Sequence, residues 1–336
     1  VLHLQYIDLQ VTSSQFRLDQ IHHQFFCWSK ILKNTKMSQQ MYREYQFLEH
    51  NLLHLCLYFS IFLPFTYFVK SFWKLLMKIA TFNINGIKAR INALSNWLQQ
   101  NSPDVVLLQE IKTVDSGFPR AHFEDMGYNV ETNGQKSFNG VGILSKYPLE
   151  DINRTLPGDP EDEQARWIEA TILNNTTVIR VCSLYAPNGN PTPGPKYEYK
   201  LAWMERLFKH AEMLLQTEMP IVLGGDYNVI PQRIDAANPS QWTEDALFLL
   251  QSRTAFRKLL NLGYIDSYRI LEDAPEQYTF WDYQAGSWNR NNGIRIDHLL
   301  LNANCADYLE EAGIDSEIRG YEKPSDHVPI WIKLRT

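Results

Sequence analysis

Short apolar runs that end or begin on a polar residue dominate this chain. Val105-Val106-Leu107-Leu108 runs into Gln109 and Glu110, and Ile221-Val222-Leu223 runs into Gly224, Gly225 and Asp226. Asp297 opens His298-Leu299-Leu300-Leu301, and Ser325-Asp326-His327 opens Val328-Pro329-Ile330. Each run reads as a buried strand, and a strand delivers its terminal side chain rigidly to the sheet edge. Ile79 to Ile84 reads as one more strand, stopped by the turn pair Asn85-Gly86. Ile91, Leu94, Trp97 and Leu98 recur at helical spacing, and Asn101-Ser102-Pro103 stops that helix. Val141 to Leu144, Thr177 to Val181 and Pro220 to Leu223 read as strands, and Tyr197 to Leu215 as a long helix. Strands and helices mixed in this way predict a layered α/β fold.

At 336 residues and 44% hydrophobic, the chain can bury a sizeable core. Its charge divides unevenly. Residues 1–76 hold seven Lys/Arg and four Asp/Glu, whereas the remainder holds 25 and 34. An acidic body excludes broad electrostatic coating of nucleic acid but leaves room for a local basic rim. Cys27, Cys56, Cys182 and Cys305 show no paired spacing, which predicts neither a zinc site nor a disulfide framework and favours a reducing, cytoplasmic setting. There is no P-loop or GxGxxG, so no nucleotide cofactor is expected, and no internal repeat.

Residues 1–76 lack a sustained period and carry five of the nine histidines. Within them, 52–69 has no formal charge but is interrupted by His54 and Pro64, at the lower edge of bilayer-spanning length. The expectation is an N-terminal extension, either upstream sequence translated in frame or a piece dispensable to the chemistry, with a membrane anchor as the alternative. A catalytic domain is expected over 77–336, starting at Met77.

The polar strand ends carry the chemistry. Carboxylates, amides and an imidazole suit a hard divalent cation and a phosphate. Glu110, with Asn83 and Asn85 at the end of the neighbouring strand, reads as a metal site. Asp226 and Asn228 stand two apart, which in an extended chain puts both on one side. Such a pair suits a base for water beside an amide that holds phosphate. His327 needs an acidic partner to fix its tautomer, and Asp297 is the candidate. His298 reads as structural. Each block alone also has a bland reading, as turn or solvated strand end.

In order, these blocks resemble the exonuclease III family of the endonuclease/exonuclease/phosphatase superfamily. The resemblance runs through Phe82–Arg90, Leu108–Lys112, Gly134–Val141, Tyr185–Asn190, Gly225–Asn228, Tyr278–Tyr283, Gly293–Asp297 and Lys323–His327. It implies a four-layer α/β sandwich, two packed mixed β-sheets flanked by helices, that uses Mg²⁺ or Mn²⁺. It implies a monomeric DNA repair nuclease that cleaves 5′ to abasic sites, removes 3′-blocking groups and degrades duplex DNA 3′→5′. By position it places Glu110, Asn83, Asn85 and Asp326 at the metal, and Asp226, Asn228, His327, Asp297 and Tyr185 in catalysis. Asn188 would touch the scissile phosphate. Asn85 stands where some relatives have Asp, which leaves the number of metal ions open. A phosphodiesterase of the same superfamily acting on RNA or a lipid or inositol phosphate is the alternative.

Basic and aromatic residues flank these blocks. Lys88, Arg90, Lys112 and Lys136, with Asn139 and the backbone amides of Gly134 to Gly140, are candidates to grip DNA phosphates. Phe280, Trp281 and Ile296 are candidates for an apolar slot that admits a baseless sugar, Trp281 being equally readable as core. Trp288 and Arg290 are candidates to lean on the helix.

Overall fold

A computed structural model describes residues 76–174 and 177–335 of the chain. The extension read over 1–76, apart from Leu76, and its apolar stretch 52–69 lie outside the described residues. Two six-stranded sheets form the centre. The first contains β1 (Leu76–Asn83), β2 (Val105–Gln109), β3 (Asn129–Asn133), β4 (Val141–Ser145), β11 (Leu309–Ile314) and β12 (Ile330–Arg335), in the order β11-β12-β1-β2-β4-β3. The second contains β5 (Leu149–Asn153), β6 (Trp167–Leu173), β7 (Val178–Tyr185), β8 (Ile221–Asp226), β9 (Ile265–Asp266) and β10 (Asp297–Leu301), in the order β5-β6-β7-β8-β10-β9. β1 with β2 and β7 with β8 are the parallel pairs, and their neighbours run antiparallel. Both sheets are therefore mixed, as expected.

The apolar runs lack polar alternation because both faces of each sheet are covered. Val105 and Leu107 of β2 point into a shared core with Val181 of β7, Val222 of β8 and Leu299 of β10. Val106 and Leu108 point the other way, against Leu94, Trp97 and Leu98 of α1 (Ile87–Asn101). Ile221 and Leu223 of β8 likewise turn outward, onto Trp203, Met204 and Leu207 of α3 (Pro195–Leu215) and Phe256 of α4 (Leu250–Asn261). The layers are thus helix, sheet, sheet, helix. The short helices α2 (Arg120–Asp125) and α5 (Ala303–Ala306) complete the set of α-helices among the described residues. No helix among these residues is long and apolar enough to cross a membrane.

Polar side chains also join the sheets. Gln109 at the end of β2 donates to Ser183 Oγ of β7 at 3.0 Å, and Ser183 Oγ donates back to the carbonyl of Leu108 at 2.9 Å. This clamp lies next to the strand ends that carry Glu110 and Asp226.

One reading changes. The run Val328-Pro329-Ile330 is not a strand throughout: β12 begins at Ile330, consistent with proline having no N–H to give a ladder. Gly224 and Gly225 let neighbouring chain come close to the strand. A Cβ on Gly224 would lie 2.5 Å from Leu107 across the sheets, and one on Gly225 would lie 1.9 Å from the carbonyl oxygen of Leu184.

Candidate active site

The ends of β1, β2 and β8, the start of β10 and the segment before β12 meet at one edge of the two sheets. Candidate ligand atoms of Glu110, Asp226 and His327 all lie within 4.8 Å of one another. Asn83 links the two carboxylates: its amide nitrogen donates to Glu110 Oε1 at 2.9 Å and to Asp226 Oδ2 at 3.0 Å. Its own oxygen accepts from the backbone of Asn85. Asn83 therefore turns donors, not a ligand oxygen, toward the acids, unlike the metal role read from sequence.

Asp226 is 1% exposed. Burial raises its carboxyl above the ordinary carboxylate range, and Asp297 adds to the rise, against His327 and the bonds from Asn228 and Asn83. Asn228 is not in extended chain. It takes φ +49, a left-handed conformation costing ~1 kcal/mol or more, and its N–H closes on Asp226 Oδ1 at 2.8 Å. The pair meets through a turn, not through strand alternation. Asn85, Glu110, Lys112 and Asn139 share this left-handed geometry, so the rim of the site is a series of held turns.

His327 lies with Nδ1 2.8 Å from Asp297 Oδ2 and Nε2 3.7 Å from Asp226 Oδ2. Burial alone would lower its pKa, but the charges of Asp297, Asp226 and Asp326 outweigh it and favour the imidazolium. Asp297, fully buried, is therefore the orienting acid. Ser325 fixes this segment by donating to the carbonyl of Asn83 at 2.8 Å. His298 points away, to Arg295 and the carbonyl of Val229, and burial lowers its pKa to about 4, a structural imidazole.

Glu110 behaves oppositely to Asp226. Burial would raise its pKa, but the Lys112 charge, bonds from Lys112 and Asn83, and the His327 charge hold it low. The Lys112 ammonium lies 2.8 Å from Glu110 Oε2 and also bonds Asn85 Oδ1, while Asn85 donates to Asp326 Oδ1 at 2.9 Å. The Lys112 cation is drawn to oxygens of Glu110 and Asn85, and Glu110, Asn85 and Asp326 together offer oxygen donors of the kind that suits a hard divalent ion. The residues fit such a metal.

Tyr185 ends β7, where burial and the charges of Glu110 and Asp226 push its phenol well above the usual range, keeping the hydroxyl protonated. Asn188 follows on the next loop and donates to Asn228 Oδ1 at 3.1 Å.

The outer candidates divide. Lys88, Lys136 and Arg290 are exposed. Arg90 and Lys112 instead turn inward: Arg90 bonds the carbonyl of Asn85 and the hydroxyl of Tyr283, bracing the rim. Asn139 is buried, with its amide on Gln135 and Gln164. Trp281 is 3% exposed and packs in the core, with Trp288 edge-on to it at 4.8 Å, so the core reading holds for Trp281. Phe280, half-buried and 4.9 Å from His327, instead shares its cluster with Ile294 and Ile296.

Sequence reading missed three residues here. Arg166 stacks on Tyr185 at 4.9 Å, Phe138 is 68% exposed on the Gly134–Gly140 loop, and Lys200 is buried beneath Asn188 and Asn228. Only Lys200 had a usable signal, a lysine on the apolar stripe of its helix.

Comparison with known proteins gives a consistent result. The model of the endonuclease/exonuclease/phosphatase family matches residues 80–327. Exodeoxyribonuclease III of Haemophilus influenzae is 35% identical over 270 residues, covering 77% of this chain and 100% of its own length. The solved structure of an AP endonuclease from Archaeoglobus fulgidus gives a TM-score of 0.74 at 36% identity, over 77% of this chain and 100% of its own. A 3′ phosphatase from Neisseria bound to a product DNA hairpin gives 0.72 at 35% identity, over 77% and 99%.

Proposed function

The chain belongs to the endonuclease/exonuclease/phosphatase family, and from that premise we propose that it hydrolyses DNA phosphodiesters in the manner of exodeoxyribonuclease III. Its substrates on this reading are abasic sites, cut on their 5′ side, and blocked or ordinary 3′ ends of duplex DNA. The observation that carries the proposal is the buried Asp226–His327–Asp297 series set beside Glu110.

Asp226, with its raised pKa, takes a proton from the attacking water, and Asn228 and Asn188 orient the phosphate by their amides. His327 keeps its Nδ1 proton on Asp297, which leaves Nε2–H to donate to a phosphate oxygen as charge develops there. Tyr185, held protonated, donates to the same group. Glu110, with Asn85 and Asp326, would hold a divalent cation, Mg²⁺ or Mn²⁺. When bound, that ion supplies polarisation of the phosphoryl group. Lys88, Lys136 and Arg290 supply exposed positive charge for flanking phosphates, and the half-buried Phe280, backed by the buried Ile294 and Ile296, offers the apolar surface for a baseless sugar.

The test uses labelled duplexes with one abasic-site analogue, with a 3′-phosphate, or with blunt unmodified ends, and an RNA strand as a further arm. Metal-dependent nicking 5′ to the lesion, or release of the 3′-phosphate, supports the reading. Cleavage of RNA alone would replace it with the RNA reading.

A further inference from the structure

We propose that Lys200 is a positioning residue, whose buried ammonium fixes Asn188 and Asn228 over the scissile phosphate by binding both their backbone carbonyls. The proposal rests on the phosphodiesterase reading above.

Lys200 belongs to the core-facing stripe of α3, between Tyr197 and Trp203, and is 0% exposed. Its Nζ donates to the carbonyl of Asn188 at 3.0 Å and to that of Asn228 at 2.6 Å. These asparagines lie 40 residues apart on separate loops, and their side chains also bond each other. Asn228 Nδ2 bonds the carbonyl of Ala186, so this side chain spans the same two loops. One ammonium thus closes a ring of contacts beneath the two amides assigned to the phosphate.

The surrounding residues fit that task. A Cβ on Gly189 would lie 2.7 Å from Lys200 Cδ, and Gly189 holds φ +91, so the loop passes the lysine only as glycine. Asn228 holds its left-handed turn where an anchored carbonyl opposes relaxation to ordinary geometry.

A merely structural position on this stripe has no need of an amine. No carboxylate makes an ion pair with Lys200 among the described residues; Asp226 and Asp245 act on it only at longer range. Burial lowers its pKa to about 7, which measures the cost of keeping the charge there. A methionine would fill the stripe without that cost, yet would leave both carbonyls without their donor. Positional accuracy of the amides is what the lysine adds.

The experiment compares the full chain with Lys200→Met and Lys200→Ala on the abasic duplex, reading kcat, KM and the thermal midpoint. Lys200→Met is expected to fold with a similar midpoint and KM within about threefold, while kcat falls about 10- to 100-fold, the range for groups that orient a reacting shell. Methylammonium is expected to restore part of the kcat lost in Lys200→Ala, by placing an ammonium in the vacated space. An unchanged kcat in Lys200→Met, with wild type active, would overturn the proposal alone. A variant that fails to fold, or a loss that methylammonium does not relieve, would make Lys200 a stability residue and overturn it too. An inactive wild type would instead remove the phosphodiesterase reading.

Discussion

At the scale of single residues, direction matters as much as identity. The sequence blocks named Asn83, Glu110, Asp226, Asp297 and His327, and they meet in one place. Their order and residue types were readable because strand ends announce themselves. Their orientation was not. Asn83 turns its NH₂ rather than its oxygen to the acids, and Arg90 and Lys112 bend inward, because each rotamer answers partners that include residues distant in sequence: Glu110 and Asp226 for Asn83, Tyr283 for Arg90 and Asn85 for Lys112. Trp281 was ambiguous for the same reason, since an aromatic beside a site looks alike whether it faces in or out. Asp297 gives a residue-scale prediction. Asp297→Asn keeps the size but removes the charge that orients the His327 ring and favours its imidazolium, so kcat should fall roughly a hundredfold or more. Single-turnover cleavage checks this, and a rate within threefold of wild type would show that His327 needs no acidic partner.

At the scale of elements, strand β8 carries the site because nothing separates it from its neighbours. Gly225 pairs with Leu184 of β7, and an added methyl would strike that carbonyl. Gly225→Ala should cost about 3 kcal/mol or more and displace Asp226 at the next position. Urea unfolding measures the first effect and cleavage the second. Glu169 of β6 ties helix α3 to the second sheet: its carboxylate meets His210 at 3.2 Å and Arg180 at 3.3 Å. Burial would raise its pKa, but the bonds from His210 and Asn153 and the charges of Arg180 and His210 lower it, from 4.5 to about 2. A depressed folded-state pKa stabilises above the unfolded value and is lost on acidification. The stability gap between wild type and Glu169→Gln should therefore narrow as pH falls from 4.5 toward 2. A gap constant across that window would mean the carboxylate is not held ionised by folding.

Over the whole molecule, the central strands were legible and the margins were not. Strands β1, β2, β4, β7, β8 and β10 are apolar runs, and all were read from the chain. The four sheet edges, β3, β5, β9 and β11, were not, because an edge half open to water is short or polar: β3 reads Asn-Val-Glu-Thr-Asn. Interior β6 was missed because Glu169 interrupts its apolar pattern. The helical layers followed from periodicity at α1 and α3, while the pairing of two sheets came from the resemblance rather than from any single run. What this architecture achieves is convergence: acids from both sheets reach one edge, each backed by a covered strand. The most direct test of that account is cleavage of a duplex bearing one abasic-site analogue, by wild type with Mg²⁺, by wild type with EDTA, and by Asp226→Asn with Mg²⁺, alongside DNA affinity. Incision 5′ to the lesion is expected only in the first case, with the variant about 10²- to 10⁴-fold slower yet binding DNA as wild type does. Equal cutting by Asp226→Asn, or cutting undiminished by EDTA, would contradict it.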